Sequence, residues 1–438
     1  MILHIKDKSF LKKVMPYLVC FSAAIFFAYE LIQMHMMNAI APMLMKDLNL
    51  NAMSFGNLCA TYLLADVIFL LPAGIILDRF STRKVILTAL GICILGTTGF
   101  AFAHGIYVAS ICHFFSGIGN AFCFLSTMML ISKWFPLQRQ AFIVGLVITI
   151  GMLGGVIAPG PFSLIAAMLT WRNALMVDAM LGVIIYMIVY IFVYDSPIKI
   201  TNNTKSSIPI VPFWNGVRQS IFNIQNIFCG MYTSFMNLPL MVIGAVWGSL
   251  FLTQGHNISL VNASLIISMI CIGTIIGSPI YGYFSDNTNS RKPYMISGAI
   301  LSIGVMLLIL FTKHPTEPIL MILFFLLGLF SSSQILGYPL ITESNPKELT
   351  GTSMGVAAVI IMGVPMLVQM LSGVMLDFCW DGTMKNGSPL YSLNNYLISF
   401  SIFPVGMVIA IFSAFFIKEK RQPIHLKNTR STNFNFLR

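Results

Sequence analysis

Charged residues are scarce in this 438-residue chain. Only 9% of its residues are Asp, Glu, Lys or Arg, whereas a soluble globular domain carries roughly 25%. Hydrophobic residues make up 57% of the chain, and its mean hydropathy is +0.86. A soluble fold cannot bury that much apolar surface, whereas a bilayer accepts apolar side chains on all sides of a helix. The composition therefore excludes a soluble globular protein and indicates a protein embedded in a lipid bilayer.

Motifs for disulfide bonding, metal binding and catalysis are also scarce. The eight cysteines form no CxxC pair, and all but Cys379 lie within apolar runs. No cluster of Cys and His has the spacing of a metal site. We therefore interpret the cysteines as small packing residues and expect neither a metal nor a cofactor. No HExxH string occurs either, which disfavours a membrane-embedded zinc enzyme, so we predict that the chain is not an enzyme.

Apolar runs of membrane-spanning length follow one another along the chain. A helix of about 20 residues crosses a bilayer, and Gly, Pro, Asn and charged clusters separate the runs. The runs lie near residues 14–41, 52–75, 84–103, 107–132, 141–166, 174–194, 222–253, 258–282, 293–312, 316–341, 350–378 and 393–416. Twelve runs predict an all-α polytopic membrane protein of two six-helix bundles. The even number places both termini on one face of the membrane.

Lys and Arg are distributed unequally between the loops on the two sides of the predicted spans. Basic residues are retained on the cytoplasmic side of a membrane. If both termini are cytoplasmic, only four of the 25 basic residues fall in outer loops, namely Lys46, Arg172, Lys313 and Lys385. The net charge of +11 therefore requires no nucleic-acid partner. We expect a multi-pass protein of the cell inner membrane with cytoplasmic termini.

A polar stretch divides the predicted spans into two sets of six. It contains the string TNNTKSS at 201–207 and two prolines. We predict an N-terminal bundle at 1–194, a cytoplasmic linker at 195–221, a C-terminal bundle at 222–417 and a basic cytoplasmic tail at 418–438. We expect a monomer whose partners are the bilayer, a small solute and protons.

Two loops share a motif at a constant offset of 208 residues. The loop after span 2 carries Gly74, Asp78, Arg79, Arg83 and Lys84, and the loop after span 8 carries Gly282, Asp286, Arg291 and Lys292. The duplication predicts two related halves. Acidic side chains at helix ends can meet the N-termini and basic side chains of neighbouring helices, so we predict that these two gating loops control the movement of the halves. The alternative is that their basic residues only anchor the topology.

The pattern G-x-x-x-D-R-x-x-x-R-K of the first gating loop resembles the signature loop of the major facilitator superfamily. The chain departs from that signature at Ser81 and Thr82, and it has Asn287 in the second copy where Arg79 stands in the first. The resemblance extends over nearly the whole chain. It implies a secondary transporter that works by alternating access, with spans 1, 4, 7 and 10 lining a central cavity.

A narrower resemblance points to bacterial relatives of the lysosomal dipeptide-transporter branch of the superfamily. It is carried by the Phe27-Ala-Tyr29-Glu30 stretch, the region of Tyr62 and the Leu77-Asp78-Arg79 string. This resemblance implies an amino acid or a dipeptide as the transported solute.

Ionisable side chains within the spans are few, and each is a candidate for function because burial in a membrane is costly. Glu30, Asp66 and His113 lie at the depth of the membrane. His35, Asp178 and Asp377 lie nearer the outer interface, where contact with water is sufficient to explain an ionisable side chain. Positions at 100° per residue place other polar side chains on the same helix faces. The full set of substrate or proton candidates is Tyr29, Glu30, Gln33, Tyr62, Asp66, His113, Asn120, Tyr232, Asn237, Gln334, Tyr338 and Gln369.

Pro239 and Glu30 lead to two mechanistic expectations. Pro239 marks span 7 as a broken helix, whose freed carbonyl groups need a cavity or a polar partner. Glu30 is our candidate for proton coupling, because a carboxyl group in a cavity can take up and release a proton during transport. Facilitated diffusion without an ion remains open. So does export of a hydrophobic drug or metabolite, which would suit the 35 Phe and 29 Met residues.

Overall fold

The N-terminal half of the chain forms six membrane spans. The computed structural model describes residues 8–135, 137–195, 213–288, 290–312, 315–346, 349–385 and 388–419. In this part of the chain, twelve helices are long and apolar enough to cross a membrane, which confirms the predicted fold class. Spans 1 to 6 are the helices Lys8–Asp47, Ala52–Arg79, Thr82–Ala101, Ile106–Trp134, Leu137–Ile157 continued by Pro159–Met168, and Trp171–Phe192.

The C-terminal half forms the other six spans, and two of them are irregular. Span 7 joins an α-helix, Ile224–Leu238, to two π-helical segments, Pro239–Trp247 and Phe251–Gly255, separated by Gly248–Leu250. Span 10 joins Glu317–Ser331 to Gly337–Glu343 through a 3₁₀ segment, Ser332–Leu336. Spans 8, 9, 11 and 12 are Leu260–Thr288, Lys292–Phe311, Thr350–Phe378, and Leu393–Phe400 with Ile402–Phe416. Antiparallel strands Met384–Lys385 and Ser388–Pro389 precede span 12.

Polar side chains define where several spans begin. An N-cap side chain satisfies a backbone N–H group that has no partner within the first turn of a helix. Asn51, Ser81, Thr170, Asn223 and Ser392 perform this role at the starts of spans 2, 3, 6, 7 and 12. The loops before spans 2, 3 and 6 are short, so each cap there also fixes where the chain re-enters the membrane.

The end of the predicted linker belongs to the C-terminal bundle. Residues Phe213–Phe222 form a helix that buries Val217 and leaves Arg218 exposed. The Ser220 hydroxyl lies 2.9 Å from the Ser353 hydroxyl, so this helix packs against span 11. The preceding linker residues 196–212 and the tail from residue 420 onward lie outside the described residues.

The two halves repeat one close helix contact. A Cβ atom at Gly117 of span 4 would lie 2.8 Å from the Cα atom of Tyr62 in span 2. A Cβ atom at Gly328 of span 10 would likewise lie 2.8 Å from the backbone carbon of Ile270 in span 8. Tyr62 and Ile270 are separated by the same 208 residues as the two gating loops. The two glycines are 211 residues apart, so each bundle uses a small residue to let span 4 or span 10 approach the equivalent place on span 2 or span 8.

The hydrogen bonds between the halves in the described part of the chain lie on the side of the membrane opposite the chain ends. We call the face that carries the ends of spans 6 and 12 the terminal face, and the opposite face the distal face. On the distal side, Ser249 of span 7 donates its backbone N–H to the Asn38 side chain of span 1 at 2.7 Å. Asp377 of span 11 accepts hydrogen bonds from the start of span 2. These contacts, together called the distal seal, close the distal end of the interface between the halves.

Candidate functional site

Glu30 lies in the centre of the N-terminal bundle. Its side chain is fully buried, and its Oε2 atom accepts a hydrogen bond from the Tyr62 hydroxyl at 2.8 Å. The other oxygen, Oε1, has no hydrogen-bond partner. It faces Gly119 of span 4, where a Cβ atom would collide with the carboxyl group. Glycine at position 119 therefore leaves the space that the Glu30 carboxyl group occupies.

Tyr29 and Gln33 turn toward span 6 and away from the interface between the halves. Gln33 donates its side-chain amide to the Tyr29 hydroxyl at 2.8 Å and also to the Asp178 carboxylate. Asp178 is fully buried, so the expectation that water surrounds it is wrong. Its position in the second turn of the apolar helix Trp171–Phe192 was the signal for burial. Tyr29 and Gln33, two of the substrate or proton candidates, thus face the interior of the N-terminal bundle.

Asp66 lies one helical turn beyond Tyr62 on span 2. Its side chain is 1% exposed, and neither carboxylate oxygen has a hydrogen bond of ordinary geometry. The side chain of Asn120 on span 4 faces it. Two members of the candidate set, on spans 2 and 4, therefore lie side by side at a carboxyl group without an ordinary hydrogen bond.

A small cavity lies beside Tyr62 at the interface between the halves. Spans 1, 2, 4, 7 and 11 line it through Met34, Met37, Cys59, Tyr62, His113, Val246 and Gln369, among others. The ring of His113 lies between those of Tyr62 and Phe100, at centroid distances of 5.3 and 5.4 Å. Three predicted candidates, Tyr62, His113 and Gln369, line this cavity. Spans 2 and 11 contribute to it in addition to spans 1, 4 and 7 of the expected set, whereas span 10 does not.

Gln369 satisfies the irregular backbone of span 7. The structure begins a π-helical segment at Pro239, where the sequence predicts a break. Gln369 of span 11 donates its side-chain N–H to the Met241 carbonyl at 2.8 Å. In return, the Trp247 indole N–H lies 3.3 Å from the backbone carbonyl oxygen of Gln369. The freed carbonyl of span 7 thus has its polar partner, while the Gln369 Oε1 atom remains without one.

The remaining candidates of the C-terminal half lie within its own bundle. The Tyr232 hydroxyl donates to the Met295 carbonyl at 2.9 Å, which is a contact between spans 7 and 9. Asn237 and Gln334 are buried, and the amide oxygen of each lacks a partner. Tyr338 is half-buried. None of these four side chains is among the residues that line the small cavity.

His35 and Asn38 contribute to the distal seal. The His35 Nδ1 atom lies 2.9 Å from the Leu31 carbonyl oxygen of the same helix, and Nε2 lies 3.7 Å from the Cys271 sulfur of span 8. His35 is 1% exposed, so water does not account for it. Because the buried imidazole reaches across to the other half, it belongs to the contacts that close the distal side.

Acidic residues that follow spans 6 and 12 cap the starts of spans 3 and 9. Asp195 accepts hydrogen bonds from the Ser81 hydroxyl at 2.5 Å and from the Arg83 backbone at 2.9 Å. Glu419 accepts from the Ser290 hydroxyl at 3.1 Å and from the Arg291 backbone at 2.6 Å. The gating-loop motif predicts that Asp78 and Asp286 meet helix N-termini. The structure places Asp195 and Glu419 there, with Asp286 largely exposed, and the Asp78 side chain lies outside the described residues.

The basic residues of the gating loops bond within their own half. The Arg291 guanidinium lies 2.7 Å from Glu343 and 3.9 Å from Asp286. Arg83 donates to the Tyr190 carbonyl, Lys292 donates to the Phe415 carbonyl, and Lys84 donates its backbone N–H to Ser81. Arg79 is exposed, and a Cβ atom at Gly74 or Gly282 would meet nothing within 4 Å. The gating role of these loops stays a prediction.

Comparison with known proteins places these features in a family. The family model described as Major Facilitator Superfamily matches residues 19–245 and 228–438, one match for each half. The chain is 23% identical over 347 residues to the probable galactarate/D-glucarate transporter GudP of Escherichia coli (strain K12), covering 71% of this chain and 76% of that protein. It is 20% identical over 390 residues to the probable sulfoacetate transporter SauU of Cupriavidus necator, covering 85% of this chain and 87% of that protein.

A solved structure has the same fold. A bacterial homologue of the human lysosomal transporter Spinster, in an inward-facing and unoccupied conformation, matches with a TM-score of 0.74 and 16% identity. The match covers 92% of this chain and 97% of that one. At this identity the likeness shows the fold alone. With the duplicated loops, the twelve spans and the family match over both halves, this chain belongs to the Major Facilitator Superfamily, as a secondary transporter of small solutes.

Proposed function

We propose that the protein moves an amino acid or a dipeptide-like metabolite across the cell inner membrane by alternating access, coupled to protons that Glu30 carries. Both termini lie in the cytoplasm, which makes the terminal face cytoplasmic, and the protein works as a monomer. The basic residues of the loops support this orientation through their excess on the terminal side.

The observation that carries the proposal is the double role of Tyr62. Its ring lines the small cavity beside His113, and its hydroxyl donates a hydrogen bond to the Glu30 carboxyl group at 2.8 Å. A solute that enters the cavity therefore contacts the residue that positions the carboxyl group. This shared contact is a physical route by which solute binding and protonation affect each other.

The surroundings of Glu30 favour a proton as the coupling ion. A charged carboxylate in an apolar interior costs several kcal/mol unless it is paired. Ion pairs in the described part of the chain involve Arg172 and Arg291, and neither lies near Glu30. We propose that Glu30 is neutral while the cavity is closed and releases its proton when one side opens to water.

Alternation requires the distal seal to break and re-form. Asn38 of span 1 and Asp377 of span 11 bond backbone groups of spans 7 and 2, and His35 of span 1 contacts Cys271 of span 8. Rocking of one half against the other breaks these contacts without unfolding a span. The energy for opening then comes from solute and proton binding at the cavity.

A catalytic role is not part of this proposal. A Gly-x-Ser-x-Gly string does occur at 351–355, and in α/β-hydrolases such a serine lies on a sharp turn between strand and helix. Here the string lies within the continuous helix Thr350–Phe378, and the Ser353 hydroxyl is bonded to Ser220. The string serves helix packing in our reading.

Uptake into proteoliposomes tests the coupling. Purified protein is reconstituted, a pH gradient is imposed, and uptake of radiolabelled L-alanine and L-alanyl-L-alanine is followed with and without a protonophore. We expect accumulation that the protonophore abolishes. Glu30→Gln keeps an acceptor for Tyr62 but cannot release a proton, so it should lose accumulation while retaining exchange of labelled for unlabelled solute.

The matched control is Glu317→Gln. Glu317 is an exposed carboxylate at the start of span 10 that accepts hydrogen bonds from Asn262, and its replacement should leave uptake unchanged. Full gradient-driven accumulation by Glu30→Gln would remove Glu30 from the mechanism. Accumulation that ignores the protonophore would remove the proton.

A further inference from the structure

We infer that the transported solute carries an ammonium group and no net negative charge, and that Asp66 binds the ammonium group. This inference rests on the proposed function and narrows its solute class. It concerns charge selection, which the proton coupling at Glu30 leaves open.

The chain provides no permanent cation along the path between the halves. Every Lys and Arg lies outside the twelve spans or in the first or last turn of one. Buried carboxylates and phosphates are normally held by Arg or Lys, and an anion moved into an apolar cavity without such a partner loses its hydration uncompensated. A solute with net negative charge therefore has no counter-charge at the depth where it must be held.

Several buried hydrogen-bond acceptors have no donor, one of them on the cavity wall and the others on spans 1 and 2 outside the cavity lining. Gln369 lines the cavity, is 2% exposed and uses its N–H group for the Met241 carbonyl, which leaves its Oε1 atom unpartnered. Oε1 of Glu30 and both carboxylate oxygens of Asp66 are unpartnered as well. Buried acceptors without donors cost free energy until a donor arrives. A solute that brings N–H groups satisfies them, whereas an anion adds further acceptors.

Asp66 is better placed for an ammonium group than Glu30 is. One Glu30 oxygen is already bonded to Tyr62, whereas neither Asp66 oxygen has a hydrogen bond of ordinary geometry and only the Asn120 side chain faces the carboxyl group. Asp66 lies one helical turn beyond Tyr62, on the side of span 2 that faces Asn120. The Asn120 amide N–H group faces the same carboxyl group and can orient it for the ammonium group. We therefore assign the ammonium group to Asp66 and the proton to Glu30.

This assignment separates the chain from relatives with anionic solutes in their names. Galactarate and D-glucarate, named for GudP, each carry two carboxylates. We expect this chain to reject such dianions although it shares the fold. The sequence identity of 23% leaves room for a different set of cavity side chains.

A matched set of probes tests the inference on the wild-type protein. L-Alanyl-L-alanine is a zwitterion, L-alanyl-L-alaninamide is a cation, and N-acetyl-L-alanyl-L-alanine lacks the ammonium group and is an anion. D-Glucarate and D-glucitol supply a dianion and a neutral compound of equal carbon number. We expect the first two to stabilise the purified protein against heat and to accumulate in proteoliposomes. The N-acetyl compound should bind at least about tenfold more weakly, since a charge-assisted hydrogen bond is lost.

Two variants locate the selecting groups. Asp66→Asn should weaken binding of L-alanyl-L-alanine about tenfold and leave the weak binding of its N-acetyl derivative unchanged. His113→Arg places a cation on the cavity wall and should allow D-glucarate to bind, whereas His104→Arg, at an exposed distal position, should not. If one of these variants fails to fold, the set of probes on the wild-type protein still tests the inference.

The outcomes distinguish this inference from the proposed function. Accumulation of D-glucarate, D-glucitol or the N-acetyl compound in preference to L-alanyl-L-alanine would overturn the inference and leave proton coupling at Glu30 intact. Accumulation of L-alanyl-L-alanine that a protonophore does not affect would remove proton coupling and support the charge selection inferred here.

Discussion

Asp377 of span 11 caps the first turn of span 2 in the other half of the protein. Its two carboxylate oxygens accept hydrogen bonds from the Ala52 N–H at 3.1 Å and the Met53 N–H at 2.8 Å. The Tyr391 hydroxyl adds a third hydrogen bond to the same carboxylate, at 2.5 Å. A negative charge at a helix N-terminus is stabilising. Because this cap joins the two halves, it favours the state in which the distal side is closed.

Removal of this cap should open the distal side more often. In Asp377→Ala the Met53 N–H group loses its acceptor and the Ala52 N–H group keeps only the Tyr391 hydroxyl at 2.8 Å. An N-cap is worth about 1 kcal/mol or somewhat more. We expect a roughly fivefold to tenfold faster reaction of Cys59 with an impermeant maleimide added on the distal side. Cys59 lines the buried cavity and would be the only cysteine retained in the reporter protein.

Asp381→Asn is the matched control for this labelling experiment. Asp381 lies in the loop that follows span 11, is exposed, and accepts hydrogen bonds from Thr383. Its replacement should not change the labelling rate. An unchanged rate in Asp377→Ala would mean that the cap does not hold the halves together.

The space at Gly119 gives a second prediction. A Cβ atom there would lie 2.8 Å from the carboxyl carbon of Glu30 and 3.2 Å from the Cβ atom of Cys93. Gly119→Ala should therefore displace the carboxyl group from Tyr62 and abolish proton-driven accumulation, as Glu30→Gln does. Gly145→Ala, where a Cβ atom meets nothing within 4 Å, should retain uptake. It should also gain about 0.5–1 kcal/mol of stability from helix propensity. Normal accumulation by Gly119→Ala would show that the position of Glu30 does not matter.

The sequence was sufficient to predict the spans, because hydropathy and length alone decide whether a helix is stable in a bilayer. The broken span 7 was also predictable, since Pro239 lacks the N–H group that a regular helix needs. The internal duplication was predictable from the two gating loops. Each of these predictions depends only on the residues of one or two stretches of sequence, and not on how the helices pack.

The partners of the polar side chains could not be predicted in the same way. A helical wheel placed Tyr29 and Gln33 on one arc, but only the packing of span 6 against span 1 brings Asp178 to Gln33. Likewise, burial of His35 depends on span 8 of the other half, which places Cys271 beside it. The sequence indicates how deep a residue such as His35 lies along its span, and a position near the end of a span suggests contact with water. Access depends instead on which helix covers that depth, and this is a property of tertiary packing.

The π-helical part of span 7 gives a third prediction. Gln369→Leu replaces the amide with an apolar side chain of similar size, which leaves the Met241 carbonyl without its donor. A buried carbonyl that loses its partner costs about 1–3 kcal/mol, so the apparent unfolding temperature should fall by several degrees. Gln219→Leu, on the exposed side of the helix Phe213–Phe222, is the control and should have little effect. Equal unfolding temperatures for the two variants would argue that span 7 does not need this partner.

The second gating loop gives a fourth prediction, which concerns two acidic residues beside the same arginine. Glu343 lies 2.7 Å from the Arg291 guanidinium and its side chain is 31% exposed, whereas Asp286 lies 3.9 Å away and its side chain is 75% exposed. Exposed ion pairs contribute little because water screens them, whereas a short charge-assisted hydrogen bond with partial burial contributes more.

Glu343→Gln should therefore lower the apparent unfolding temperature by about 2–4 °C, the change that corresponds to roughly 1 kcal/mol in a domain of this size. Asp286→Asn should change it by less than the scatter between preparations. Thermal unfolding followed by thiol-reactive fluorescence of the buried cysteines measures both. The reverse order would mean that the signature aspartate, although exposed, stabilises the loop more than the glutamate of span 10. The gating role would then belong to the position that the sequence motif marks, and the Arg291–Glu343 pair would be an accessory to it.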